Sequence, residues 1–128
     1  MTDVGSISRA IALAAMEAAR DKQATDVVVL DVAELLSITD YFVICSASSD
    51  RQIKTVIQAV EERVRQDLDL RPARREGEAD AGWWLLDYVD VVVHVFGEEQ
   101  RAYYDLERLW RDAPRPEWAA ASAARTAG

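Results

Sequence analysis

A cysteine and an arginine separated by five residues form the first pair that could do chemistry. The segment from Cys45 to Arg51 reads CSASSDR, which has the C-x5-R spacing of cysteine phosphatases. Such enzymes need a thiolate at a strand end, backbone amides around the phosphate and an arginine on the following helix. Here the loop contains no glycine, and Asp50 would place a negative charge beside the phosphate. The pattern favours a buried strand cysteine followed by a capped helix, with a phosphatase as the alternative.

Two serines and two aspartates offer a second enzymatic interpretation, that of a nucleotidyltransferase. Ser48 and Ser49 stand where such enzymes carry a Gly-Ser pair, and Asp87 and Asp90 could supply metal-binding carboxylates. However, Asp87 and Asp90 flank a predicted turn, whereas carboxylates two positions apart on one strand would converge better on a divalent ion. His94 is the only histidine and has no partners at ligand spacing. We therefore predict no metal and no cofactor.

Aromatic residues in the second half of the chain could instead serve recognition: Trp83, Trp84, Tyr88, Tyr103, Tyr104 and Trp110. Because successive side chains of a strand point to opposite faces, Trp83 and Trp84 cannot share a face of the sheet. If helices cover only one face, the other bears Trp83, Leu85 and Asp87 and is suited to binding a protein. A second helical layer over that face is the alternative.

The one basic cluster, Arg71, Arg74 and Arg75, lies in the segment RPARREGE. It fits a charged edge strand that resists aggregation. Three arginines beside two glutamates bind RNA weakly by themselves, but they could touch RNA once another contact has docked the protein.

Periodicity and capping signals predict the elements that position these residues. We predict a helix over 8–22, strands over 27–32 and 41–46, a helix to about residue 70, an edge strand within 71–81, a hairpin of strands 83–88 and 90–96, and a helix over 98–110. Ser49 and Gln52 form a capping box before the second helix. Leu106, Leu109 and Trp110 are the predicted inner stripe of the last helix. This order predicts an α/β fold, a mixed sheet packed with helices.

Length and composition bound the remaining possibilities. The 128 residues suffice for one core, so we predict a flexible segment over 1–7, a single domain over 8–112 and a disordered tail over 113–128. The 15 basic and 23 acidic residues give a net charge of −8, which repels nucleic acid and anionic lipid but attracts a basic protein. A single cysteine excludes an internal disulfide. Without a signal peptide or a membrane-spanning run, we expect a cytoplasmic protein with no membrane partner.

Three long segments resemble the ribosomal silencing factor (Iojap-related) family: SITDYFVICSASSDRQIK, WWLLDYVDVVVHVF and EEQRAYYDLERLW. They stand in the family's order, and the resemblance covers about residues 8–110. There are two departures. Ala47 occupies a place where relatives often carry glycine, and Val89 replaces the glycine usual in the hairpin turn. Because valine resists positive φ, the second departure predicts an altered turn geometry.

The resemblance implies a nucleotidyltransferase-like fold without catalytic carboxylates, and a protein that is not an enzyme. It also implies binding to the large ribosomal subunit through the basic ribosomal protein L-fourteen. Binding there would sterically block joining with the small subunit and repress translation, chiefly under nutrient limitation. The arginine cluster could add a peripheral contact to rRNA. The free protein is expected to be a homodimer.

On this basis we predict a partner-binding surface built from eight residues. Trp83, Leu85 and Asp87 form its centre, Asp40, Tyr88 and Asp90 lie nearby, and Arg101 and Tyr104 of the last helix are lesser candidates. The tryptophan would supply desolvated contact area, and the carboxylates would meet arginine or lysine of the partner.

Overall fold

The computed structural model describes residues 4–78 and 81–119, which contain four helices and five strands. The helices are α1 (Val4–Asp21), α2 (Asp50–Leu68), α3 (Glu98–Tyr104) and α4 (Leu106–Leu109). The strands are β1 (Thr25–Asp31), β2 (Tyr41–Ala47), β3 (Arg74–Glu78), β4 (Trp83–Asp87) and β5 (Val91–Gly97). In this part of the chain, no helix is both long and apolar enough to span a bilayer.

All five strands join one sheet in the order β1-β2-β5-β4-β3. Strand β2 pairs in parallel with β5, and the other neighbours are antiparallel. The mixed sheet packed with helices is therefore confirmed. The first two strands, β1 and β2, are direct neighbours.

Helices α1 and α2 cover one face of the sheet. Alanines of α1 such as Ala12, Ala15 and Ala19 are completely buried, which lets the helix lie close to the strands. The predicted cap of α2 is confirmed, because the Ser49 side chain accepts a hydrogen bond from the backbone N–H of Gln52 at 3.1 Å. The helix ends at Leu68, and Asp69 follows it in the left-handed conformation.

The other face carries a second apolar cluster, in which Phe42, Ile44 and Phe96 are buried beneath residues from the C-terminal part of the chain. Trp110 meets the ring of Phe42 edge-on at a centroid distance of 5.5 Å. Leu106 packs on the same cluster. Residues 98–113 thus cover part of this face. The structure is intermediate between the two predicted alternatives, an uncovered face and a complete second helical layer.

The predicted single helix over 98–110 is wrong in its continuity. Asp105 takes the left-handed conformation with φ 48°, and its N–H bonds to the carbonyl of Arg101, which ends α3. Aspartate tolerates this conformation better than most residues. Because the break reorients α4, Leu109 of the predicted inner stripe is 73% exposed, while Leu106 and Trp110 do pack inward.

The predicted boundary at residue 112 also differs from the structure. The N–H of Asp31 donates to the carbonyl of Pro114 at 2.8 Å, so the chain runs along the outer edge of β1. Trp118 then packs edge-on against Tyr41, with ring centroids 5.5 Å apart. The buried apolar surface of Trp118 holds this segment on the sheet, whereas its composition had predicted a disordered tail. At the other end α1 already begins at Val4, within the segment predicted as flexible; residues 1–3 and 120–128 lie outside the described residues.

Candidate functional site

A shallow groove of about 500 Å³ crosses the sheet face opposite α1 and α2, where the C-terminal segment leaves it uncovered. Residues of β4 and β5 line it, among them Leu85, Val92 and His94. Ile38, in the loop between β1 and β2, borders it and is 72% exposed. We call this feature the sheet groove. An apolar concavity of this kind is a natural place for a partner's side chain.

Asp87 closes one end of the sheet groove with its carboxylate engaged on both oxygens. Oδ1 accepts the backbone N–H of Val89 at 2.7 Å, and Oδ2 accepts Nη2 of Arg74 at 2.9 Å. Arg74 is directly opposite Asp87 on the neighbouring strand. This hydrogen bond, with the nearby charges of Glu76 and Asp87, raises the pKa of Arg74. The carboxylate therefore shapes the hairpin turn as well as the charge of the groove.

The hairpin turn is left-handed at Val89, whose φ is 72°. The altered turn geometry predicted from the valine is not what the structure has, because Val89 itself adopts the positive φ. Two contacts hold it there: its N–H bonds to Asp87, and its carbonyl accepts the hydroxyl of Thr39 at 3.1 Å. The turn thus presents a half-exposed valine at the rim of the sheet groove.

Trp83 begins a stack of rings that separates the sheet groove from α3. Its ring lies nearly parallel to those of His94 and Phe96, at centroid distances of 6.2 and 5.7 Å. Tyr104 of α3 covers it at 5.2 Å. Trp83 is therefore half-buried and supports the groove, while Tyr104 lies at the outside of the stack.

His94 is a buried neutral imidazole at the base of the groove. Burial lowers its pKa from 6.5 to about 4, and the charge of Asp87 opposes this shift. Its Nδ1 accepts the indole N–H of Trp83, so the proton is assigned to Nε2. Among the described residues Nε2 has no hydrogen-bond partner.

Asp40 and Asp90 meet beside the same turn. The N–H of Asp40 donates to the carbonyl of Asp90 at 2.7 Å, which places the starts of the parallel strands β2 and β5 together. The carboxylate of Asp40 accepts the Ser8 hydroxyl of α1 at 2.5 Å. With Asp87, these residues make one end of the sheet acidic.

Tyr88 and Arg101, two further residues predicted to bind the partner, do not line the sheet groove. Tyr88 follows the alternation of Leu86 and is buried on the face covered by the helices, where burial raises its pKa. Arg101 lies near the opposite end of β2, bonded to the Ser46 hydroxyl at 2.9 Å and to the carbonyl of Asp26 at 2.6 Å. Both side chains therefore lie outside the sheet groove.

Sequence reasoning missed the residues that form the outer wall of the groove. Leu36 and Ile38 belong to the segment between β1 and β2, and Arg74 reaches in from the edge strand. A signal for Ile38 was present, since an isoleucine in a polar turn is a large apolar residue with nothing local to bury it. Ile38 and Leu85 are far apart in the sequence, so the sequence alone did not indicate that they line the same groove.

The two enzymatic interpretations gain no support from the geometry. Cys45 is completely buried, and this burial raises the pKa of its thiol to about 12, which disfavours the thiolate that a phosphatase requires. Arg51 is exposed at the start of α2. Asp87, one of the two carboxylates considered for metal binding, is paired with Arg74. Within residues 4–78 and 81–119, no three histidine, cysteine or acidic side chains are grouped to hold a metal ion.

The family model described as "Ribosomal silencing factor during starvation" matches residues 6–128. This chain belongs to the ribosomal silencing factor family. The resemblance carried by its three long segments is thereby confirmed. It is 42% identical over 103 residues to ribosomal silencing factor RsfS of Halalkalibacterium halodurans, which covers 80% of this chain and 87% of that protein. To RsfS of Bacillus subtilis it is 39% identical over 100 residues, 78% of this chain and 84% of that protein.

A solved structure from Chromobacterium violaceum shares the fold of this chain. It superposes with a TM-score of 0.76 at 31% sequence identity, and the match covers 84% of this chain and 88% of that chain. The fold of this chain is thus found in a related protein of known structure.

Proposed function

We propose that this chain binds the large ribosomal subunit through ribosomal protein L-fourteen and sterically blocks its joining with the small subunit. Translation is thereby repressed, chiefly under nutrient limitation. The chain acts by occupying a surface, without catalysing a reaction, and works in the cytoplasm. In the free state two copies form a homodimer. Membership of the ribosomal silencing factor family supports the general role.

The sheet groove is the observation that carries this proposal. It combines an exposed apolar rim at Ile38 with a deeper apolar wall at Leu85 and Val92. A partner side chain that enters would lose its contact with water on several sides, as at the centre of a protein–protein interface. The turn at Val89 and the loop at Ile38 would surround it as an outer ring.

Charge supports a basic partner. The chain carries a net charge of −8, and Asp87 lines the groove. Asp40 and Asp90 lie at the same end of the sheet, where the carboxylate of Asp40 accepts the hydroxyl of Ser8 from α1. Such a surface attracts a lysine- and arginine-rich protein and repels bare RNA, so association is steered to the protein component of a ribosomal surface. Only part of this charge is free, because Asp87 is already paired with Arg74.

A subunit-joining assay tests the role. Purified small and large subunits are mixed with increasing amounts of the protein, and the joined particles are measured on sucrose gradients. The wild type should reduce joining with no nucleotide added. Ile38→Lys should lose at least about tenfold in potency, because it sets a cation against a basic partner at a position where the core is not disturbed.

Leu109→Lys is the matched control, since Leu109 is 73% exposed on α4 and Ile38 is 72% exposed at the groove. This control should block joining like the wild type. Equal potency of both variants would remove the groove from the interface, and unhindered joining with the wild type would end the proposed role.

Direct binding to purified ribosomal protein L-fourteen tests the partner. Titration of that protein should show saturable binding by the wild type and by Leu109→Lys, and weaker binding by Ile38→Lys. If joining is blocked while the isolated partner is not bound, the partner is a different component of the large subunit.

A further inference from the structure

A second concavity, of about 610 Å³, lies between the C-terminal half of α2 and the edge strand β3. Four arginines and two glutamates line it: Arg65, Arg71, Arg74, Arg75, Glu61 and Glu62. We call it the arginine cleft. The lining carries a surplus of two positive charges in a chain whose net charge is −8. A positive site on an otherwise acidic molecule indicates an anionic ligand.

The four arginines differ in what they already bind. Arg75 pairs with Glu61 at 2.8 Å, and Arg74 pairs with Asp87 at 2.9 Å. Within the part of the chain that the structure describes, Arg65 and Arg71 make no ion pair. Once these two pairs are set aside, the charges left in the lining are Arg65 of α2, Arg71 of the connection to β3 and the carboxylate of Glu62, a surplus of one positive charge. Both arginine side chains are exposed.

The cleft is continuous with the sheet groove. Ala73 and Arg74 line both concavities, so they adjoin at the first residues of β3. If a protein partner is bound in the groove, the molecules next to that partner lie at the entrance of the cleft. On a ribosomal surface this surrounding is RNA, whose phosphates suit the planar guanidinium group.

We propose that the arginine cleft binds the phosphodiester backbone of RNA through Arg65 and Arg71, while Arg74 and Arg75 remain in their ion pairs. This inference rests on the proposed function, because the acidic chain approaches RNA only after the groove has docked. The sequence had singled out Arg71, Arg74 and Arg75. Arg65 of α2 joins Arg71 here in place of Arg74 and Arg75, which are already paired.

The salt dependence of binding to large subunits tests this assignment. Association constants of the fluorescently labelled full chain are measured by pelleting over a range of KCl concentrations. The double variant Arg65→Gln with Arg71→Gln should lower the slope of log K against log salt by about 1.5, as expected for the loss of two phosphate contacts. The control Arg51→Gln with Lys54→Gln removes two exposed charges at the other end of α2 and should keep the slope of the wild type.

A tethered cleavage probe identifies the ligand as RNA. Cys45 is completely buried, so a thiol-directed iron chelate on Ala73→Cys would label only the cleft. Radicals from this position should cut rRNA in the complex, and the same probe on Ser48→Cys, at the far end of β2, should not cut those nucleotides.

Two results overturn the inference while leaving the proposed function intact. One is an unchanged salt slope in the Arg65/Arg71 double variant. The other is a weaker complex in which the probe at position 73 cuts no rRNA, which would indicate an acidic protein in the cleft. If the wild type does not pellet with large subunits at any of the salt concentrations tested, the proposed function itself is refuted.

Discussion

The indole N–H of Trp83 donates to Nδ1 of His94 at 3.4 Å, and the two rings lie almost parallel, with an interplanar angle of 10°. The contact crosses two antiparallel strands and fixes which imidazole nitrogen carries the proton. It leaves Nε2–H inside the protein, against Phe42 and Phe96, which meet the same imidazole edge-on and stacked. An added proton on Nδ1 would break this hydrogen bond and place a charge among apolar rings.

Acid should therefore destabilise the fold through His94. Its pKa is lowered from 6.5 to about 4 by burial, so the unfolded chain takes up a proton at a higher pH than the native one. The stabilisation from this histidine is complete above pH 6.5 and is lost as the pH falls from 6.5 to 4, by about 3 kcal/mol in all.

Urea unfolding of the wild type and His94→Phe between pH 7 and pH 4 measures this loss. The variant should be less stable at pH 7, since it lacks the bond to Trp83, but should lose less stability on acidification. Parallel curves for the two proteins would show that another group controls the acid response.

Features that depend only on residues close together in the sequence could be predicted from it. The cap at Ser49, the alternation of β4 and the hairpin between β4 and β5 each follow from short-range sterics and hydrogen bonding. Only part of the sheet groove could be predicted from the sequence. Leu85 and Asp87 were among the predicted binding residues, but Ile38 was not. Its outer wall is brought there by the parallel pairing of β2 with β5, a long-range contact that no local pattern encodes.

Arg101 should matter for folding more than for binding. Its side chain is 11% exposed and also pairs with Glu107 at 2.9 Å, so it ties α3 to the ends of β1 and β2. Arg101→Met removes three hydrogen bonds and should lower the free energy of unfolding by about 2 kcal/mol. Arg108→Met, at an exposed position of α4, should change it by less than about 0.5 kcal/mol. Chemical denaturation measures both, and equal effects would refute the anchoring role.

Glycine at position 89 should stabilise the protein. A left-handed backbone costs an L-residue about 1–2 kcal/mol, and this outweighs the entropy cost of glycine, about 0.5–1 kcal/mol. Val89, with φ 72°, carries that cost. Val89→Gly should raise the free energy of unfolding by about 0.5–1 kcal/mol. Val92→Gly, on the next strand, should lower it, and a loss of stability in both variants would show that the valine side chain is worth more than the strain.

The thiol of Cys45 should be inert in the native protein. It is completely buried, and burial raises its pKa to about 12. Iodoacetamide at pH 8 should leave Cys45 of the folded chain unmodified. In denaturant the same reagent should react with it at once. Mass spectrometry measures the adduct in both cases. Rapid labelling of the folded protein would reopen the phosphatase interpretation, because a reactive thiol at this position is what that chemistry needs.

Trp118 should anchor the segment that follows α4. Its ring meets Tyr41 edge-on at 5.5 Å, and the guanidinium carbon of Arg9 lies 5.3 Å from its centroid. Trp118→Ala removes both contacts and should cost about 2–3 kcal/mol of unfolding free energy. Trp118→Phe keeps an aromatic ring and should recover about half of this loss. Limited trypsin digestion gives a local readout, since the bond after the exposed Arg111 should be cleaved faster in the alanine variant. If the alanine variant resists trypsin at Arg111 like the wild type, the segment along β1 is held without Trp118, by the hydrogen bond from Asp31 to Pro114 and the burial of Ala113.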